Sequence, residues 1–134
     1  MAVINEGIKA GQNGAVSFGN YSVKEKIKAK LEISGDEYAV KTHDELTRLE
    51  KNGALVIETD PGAAIHDFLM TDKSVSFKAE GAGDTQFTLG LASGAEYDLI
   101  IGGELIGKVT ANKFGKAVFS ADIAVMKEIL LKRR

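Results

Sequence analysis

The chain has 134 residues, of which 44% are hydrophobic and 27% charged, a composition typical of a compact globular domain that excludes disordered and fibrous proteins. The chain has 17 Lys and Arg residues and 19 Asp and Glu residues, which gives a net charge of −2. It therefore lacks the excess of basic residues that nucleic-acid binding usually needs. The absence of cysteine excludes disulfide bonds, thiolate nucleophiles and thiolate metal sites.

No secretory signal or membrane-spanning helix is predicted. The N-terminus has no apolar run behind a basic start, and nowhere do about 18 apolar residues follow one another. We therefore expect a protein that binds neither membrane nor nucleic acid and that is cytoplasmic or carried in a larger assembly, with export by a route that the N-terminus does not reveal as the alternative.

Strand patterns dominate the first half of the chain. From residue 23 to 33, apolar side chains occupy odd positions and charged side chains occupy even ones, the period of a strand with one buried and one wet face. Asn52-Gly53 favours a tight hairpin between strands at 47–51 and 54–58. The competing interpretation is a short helix over 43–51 that ends before Gly53; we favour the hairpin.

A turn at Pro61, the single proline, is expected to join the two halves of the chain. The segment that follows, 63–72, carries apolar residues that fit either one helical turn or an extended connector.

The second half repeats the strand pattern, with turns every 8–12 residues as in antiparallel sandwiches and barrels. The predicted strands cover residues 74–79, 85–91, 96–101, 104–110 and 116–123. The tail, 123–134, is apolar before Lys132-Arg133-Arg134. Because basic residues stabilise the C-terminal end of a helix, a short helix is favoured there over a last strand.

An internal repeat links the two halves. Val16-Ser17-Phe18 recurs as Val75-Ser76-Phe77, 59 residues later. At the same spacing, the Ser-Gly-x-Glu-Tyr motif that begins at Ser34 recurs from Ser93. We interpret this as a duplicated unit.

The predicted architecture is all-β: an antiparallel β-sandwich or barrel built from two repeated β-meander units, with a short C-terminal helix. Residues 1–134 form one domain, with repeats at about 15–60 and 74–122, a linker at 61–73 and the C-terminal segment 123–134. Two such sheets bury their apolar faces against each other. The alternative is two small modules that each find a partner face on another chain.

A row of lysines is the first candidate binding site. Lys24, Lys26, Lys28 and Lys30 alternate along one predicted strand, so they form a linear positive stripe that attracts a polyanion. On an edge strand the same row prevents unwanted pairing.

Two histidines supply the other candidates. His66-Asp67 and His43 are the closest approach to a metal-ligand cluster or an acid–base pair, although their spacing follows no metal-binding pattern. No nucleophile elbow or phosphate-binding loop occurs. We therefore predict no cofactor and no enzymatic activity, with a metal-dependent enzyme around His66 and Asp67 as an alternative.

Residues 83–122 resemble the small fibronectin-III-like or immunoglobulin-like β-sandwich accessory modules of bacterial surface, phage-structural and carbohydrate-active proteins. The motif Glu-Tyr-x-Leu-x-Ile, followed by Gly-Gly and Leu-Ile-Gly-Lys-Val-Thr, carries the resemblance. It implies a β-sandwich fold and assigns no functional residue. Edge strands of such a fold can pair with another chain, and the apolar C-terminal segment can dock on a neighbour. We therefore predict a structural or protein-interaction module that self-associates or joins a larger assembly, with a carbohydrate- or anion-binding module as the alternative.

Overall fold

The computed structural model describes residues 3–134, which fold almost entirely into β-strands, with one 3₁₀ turn at Gln12–Gly14. The strands are β1 (Ile8–Ala10), β2 (Val16–Phe18), β3 (Ile27–Ile33), β4 (Asp36–Thr42), β5 (Thr47–Lys51), β6 (Ala54–Asp60), β7 (Ala63–Met70), β8 (Ser74–Gly81), β9 (Asp84–Gly90), β10 (Glu96–Ile101), β11 (Glu104–Thr110), β12 (Lys116–Asp122) and β13 (Lys127–Arg133). The described residues form no helix long and apolar enough to cross a membrane.

The strands form two antiparallel sheets that pack face to face as a sandwich. The seven-stranded sheet has the order β1-β2-β7-β8-β13-β10-β11, and the six-stranded sheet has the order β12-β9-β6-β5-β4-β3. Edge strand β11 lies beside edge strand β12, and β1 lies beside β3. Each lateral side of the sandwich therefore exposes one edge strand from each sheet.

A row of phenylalanine rings joins the two sheets across the core. Phe18, Phe68 and Phe77 project from the seven-stranded sheet, and Phe87 and Phe119 project from the six-stranded sheet. Neighbouring ring centroids are 5.0–6.0 Å apart along the whole row, and the row passes between the sheets where Phe77 meets Phe87 at 5.9 Å. Rings at these separations attract each other through edge-to-face and stacking contacts, which stabilise the fold in addition to the burial of their apolar area.

Buried threonines fix the point where the chain passes from β6 to β7 and changes sheets. The Thr47 hydroxyl accepts a hydrogen bond from the Ala63 N–H at 3.1 Å and donates to the Ala63 carbonyl at 2.9 Å. The Thr42 hydroxyl lies 2.7 Å from that of Thr47 and accepts the Asn20 N–H at 2.9 Å. These bonds satisfy backbone groups that the sheets leave unpaired at this crossing.

The predicted all-β sandwich is confirmed, and so is the hairpin at Asn52-Gly53. Both turn residues have positive φ, 51° and 83°, and β5 pairs with β6 across them. The competing helix over 43–51 does not form, because β5 pairs with β4 on one side and β6 on the other.

Two segments differ from their predictions. Residues 63–70 are neither a helical turn nor a connector but strand β7, whose alternation is interrupted by a bulge at Asp67, with φ 55°. The C-terminal helix prediction is wrong, since Lys127–Arg133 is strand β13, paired with β8 and β10. Segment 127–133 is extended because it pairs with a strand on each side. The basic residues at its end, which would stabilise the C-terminus of a helix, do not determine its conformation.

The two segments of the sequence repeat occupy the sheets differently. In the first, β3 to β6 form a meander within the six-stranded sheet. In the second, β9 pairs with β12, while β10 and β11 lie in the seven-stranded sheet. The second segment is therefore not a meander, and each sheet contains strands from both segments. The duplication itself stays a prediction.

The phenylalanine row predicts a sharp difference between two aromatic substitutions. Phe87→Ala removes a fully buried ring at the junction of the sheets, so it should lower the free energy of unfolding by about 3–5 kcal/mol. Phe114→Ala is the matched control, since that ring is 75% exposed, and should change stability by less than about 0.5 kcal/mol. Urea unfolding measures both values. Equal losses would contradict the role given to the row.

The β6–β7 crossing has no room for a side chain at Gly62. A Cβ there would lie 1.9 Å from the His43 carbonyl oxygen. Gly62→Ala should therefore cost on the order of 3 kcal/mol or more, because backbone atoms must move. Gly83, in the β8–β9 connection, has nothing within 4 Å of its Cβ position, so Gly83→Ala should be nearly neutral. Thermal unfolding of the two variants, compared with the unchanged chain, tests this. Two equally stable variants would refute the packing argument.

Candidate interaction surfaces

The predicted metal-site residues lie on separate elements. His43 is buried in the turn between β4 and β5, with its Nδ1 3.4 Å from Asp44 Oδ1. His66 is on β7, opposite Lys78 of β8, and its Nε2 is buried with no hydrogen-bond partner among the described residues. Asp67 is exposed in the β7 bulge, where its N–H donates to Ser17 Oγ at 3.0 Å.

These side chains do not form a recognisable metal centre. Within residues 3–134, no group of three or more His, Cys, Asp or Glu side chains is placed to hold a metal ion. The cross-strand position of Lys78 next to His66 adds a positive charge, which disfavours a cation there. Among the described residues, no set of metal ligands is therefore assembled at His66.

The predicted lysine stripe divides into two parts. Lys28 and Lys30 project from edge strand β3 and are exposed, whereas Lys24 and Lys26 lie in the segment before it and are also exposed. Lys30 is 3.7 Å from Glu37 on β4. Of the two stripe lysines on β3, Lys28 makes no ion pair among the described residues.

A second row of positive charge crosses the strands at Lys28, and the one-dimensional pattern missed it. Lys28 lies opposite Lys41 on β4, and Lys41 lies opposite Arg48 on β5. These residues line a shallow depression of about 460 Å³ on the outer face of the six-stranded sheet. The two-residue turn at Ser34-Gly35 fixes the register that places Lys41 opposite Lys28, so the sequence did contain this signal.

The charges in this cross-strand row are not equally available. Arg48 donates to Glu58 at 2.9 Å and to Glu50 at 3.1 Å, and the hydrogen bond to Glu58 is the main cause that raises the pKa of its guanidinium above the ordinary value. Lys28 and Lys41 remain as directly opposed like charges, an arrangement that destabilises a sheet. An anion bound between them would remove that repulsion.

Exposed apolar side chains concentrate in one part of the chain. Among residues 3–134, seven large apolar side chains are exposed, and all but Leu69 lie between residues 105 and 126. They are Leu105 and Ile106 on β11, Phe114 in the β11–β12 connection, Val118 on β12, and Val125 and Met126 before β13. We call these six residues the β11 apolar surface. Sequence reasoning missed this surface, because strand patterns do not reveal which strands will lie at an edge.

The edge strands β3 and β11 expose different types of side chain to solvent. Edge strand β3 carries Lys28 and Lys30, the kind of side chain that keeps an edge from pairing with other chains. Edge strand β11 instead carries Leu105, 64% exposed, and Ile106, 56% exposed, at a bulge opposite β10. The β11 end of the sandwich therefore has the character of an interaction surface.

Comparisons of the chain with protein-family models, with curated proteins and with solved structures find no match. The resemblance of residues 83–122 to fibronectin-III-like and immunoglobulin-like modules accordingly stays a prediction.

Proposed function

We propose that this protein is a non-enzymatic structural β module that associates with further copies of itself, in the cytoplasm or within a larger assembly. The observation that carries this proposal is the β11 apolar surface, six large apolar side chains that the fold leaves in water. An exposed apolar patch is typical of protein–protein contacts, and Leu105 and Ile106 stand next to each other on edge strand β11.

The free energy available from burying these side chains supports association through this surface. Removing apolar area from water stabilises a contact by about 25 cal/mol per Å². Phe114 and Val125 are 75% and 72% exposed, so each has most of its area left to bury. Leu105 and Ile106 add two more large side chains on one strand. Binding of another protein to this surface would remove that apolar area from water.

Self-association predicts that the unmodified chain is larger than one copy in solution. Light scattering after size exclusion should give at least twice the 14.3 kDa mass of the chain, with dissociation on dilution over roughly a hundredfold range. A monomeric mass throughout that range would contradict the proposal.

An anion-binding module is a second candidate, supported by the opposed Lys28 and Lys41. Lys28→Glu should weaken binding to heparin, a sulfated polysaccharide. It should also raise the free energy of unfolding by about 0.2–1 kcal/mol, since an unlike pair replaces a like pair across the strands.

Heparin affinity chromatography and urea unfolding measure the two effects together. Lys113→Glu is the matched control, because it makes the same charge change in the β11–β12 connection, away from the lysine row. If the control variant lost as much heparin affinity as Lys28→Glu, binding would reflect overall charge and this candidate would be discarded.

A further inference from the structure

A row of four large apolar side chains, interrupted by Ser76, runs across the outer face of the seven-stranded sheet. The pairing register places Leu69 opposite Ser76, Ser76 opposite Leu130, Leu130 opposite Ile100 and Ile100 opposite Leu105. On β13, Leu130 lies between the buried Ile129 and Leu131, which places it on the outer face. We call these five residues the apolar stripe. It spans β7 to β11 and ends at Leu105, the residue that it shares with the β11 apolar surface.

Charged residues border the stripe on both sides. On one side, Glu128 lies opposite Lys78, which lies opposite His66. On the other side, Lys132 lies opposite Asp98, which lies opposite Lys108. An apolar centre with a polar border is the usual anatomy of a protein interface.

Most of the charges on the second border already have partners within the chain. Asp98 is 3.4 Å from Arg134 Nε, and Lys108 Nζ is 3.2 Å from Glu96. Lys132 makes no salt bridge within residues 3–134, and neither does Glu128 on the first border. Both residues are on β13, two positions before and two positions after Leu130, with opposite charge.

We propose that the apolar stripe binds the same stripe of a second copy of this chain, face to face, about a two-fold axis that runs along the stripe. This rests on the self-association proposed above and names its surface. Rotation about that axis places Leu130 against its own counterpart. It also places Glu128 over Lys132 of the second copy, and Lys132 over Glu128 of that copy.

The charges select this orientation over the alternative. A two-fold axis parallel to β13 would place Glu128 over Glu128 and Lys132 over Lys132, and like charges in contact oppose association. The favoured arrangement also suits sheet packing, in which two sheets lie about 10 Å apart with strands within about 30° of each other. Glu128 and Lys132 each lie about 7 Å along the strand from Leu130. At that distance a crossing angle of the two sheets displaces the paired side chains only slightly, and their length allows them to remain in contact.

Affinity and orientation come from different residues in this arrangement. Burial of the stripe supplies the attraction, since exposed ion pairs contribute little to it. The two Glu128–Lys132 pairs set the direction in which the sheets meet. Reversing one charge converts both pairs into repulsive contacts, because the two-fold axis repeats every contact.

Charge reversal within one strand tests the arrangement. Lys132→Glu and Glu128→Lys, each alone, should weaken the dimer at least tenfold in a dilution series followed by light scattering. The double variant E128K/K132E should restore the dissociation constant to within about threefold of the unmodified chain, because both pairs re-form with their charges exchanged. Both side chains are exposed, so each variant should keep its circular dichroism spectrum. Each reversal also places like charges opposite Lys78 or Asp98 within the sheet, which should lower the thermal unfolding midpoint by no more than a few degrees.

Matched controls on the other sheet are Lys28→Glu and Glu32→Lys, the same changes at the same spacing on β3. They should leave the dissociation constant unchanged. If the unmodified chain is monomeric, the proposed function fails, and this inference fails with it. If the chain is a dimer that the single reversals do not weaken, or that the double variant does not restore, self-association stands and the stripe is not its surface.

Discussion

The contact between Phe77 and Phe87 holds the two sheets together at the centre of the sandwich, because a continuous row of rings passes there from one sheet to the other. Each sheet has an inner face lined with large apolar side chains, and neither inner face can be buried within its own sheet. The phenylalanine row gives both faces a common core, to which almost all the buried aliphatic residues belong. Once the inner faces are packed, the outer faces and edges decide what else the protein can contact.

The strands with strict alternation could be predicted from the sequence, and so could the sandwich. Residues 27–33 alternate because only one face of β3 meets the core, and Asn52-Gly53 adopts the positive φ values that a tight hairpin needs. Sheet membership could not be predicted in the same way. The local sequence pattern of β10 and β11 is the same whether these strands continue the six-stranded sheet beside β9 or belong to the seven-stranded sheet, where the structure places them. Their sheet is determined by contacts with strands that are distant in sequence.

The errors in the sequence interpretation occur where outward positions are apolar. In β13, Leu130 follows the buried Ile129 and precedes the buried Leu131, so three apolar residues in succession conceal the alternation. The residue that misled the prediction of the C-terminal segment is therefore the centre of the proposed interface. On β7, the bulge at Asp67 disrupts the period and leaves Leu69 on the outer face. Only the lysines of β3 could be identified in advance as a surface feature, while Lys41 required the register of the hairpin.

A zero-length carbodiimide cross-link can establish whether two copies of the chain meet through the outer face of the seven-stranded sheet. The reagent joins a carboxylate to an amine only where they touch, and mixing ¹⁵N-labelled with unlabelled chains separates links between copies from links within one. If the copies meet face to face through the apolar stripe, a mixed-isotope peptide should join Glu128 of one copy to Lys132 of the other. Links between copies that involve instead the lysines of the six-stranded sheet, Lys28, Lys30 or Lys41, would contradict it.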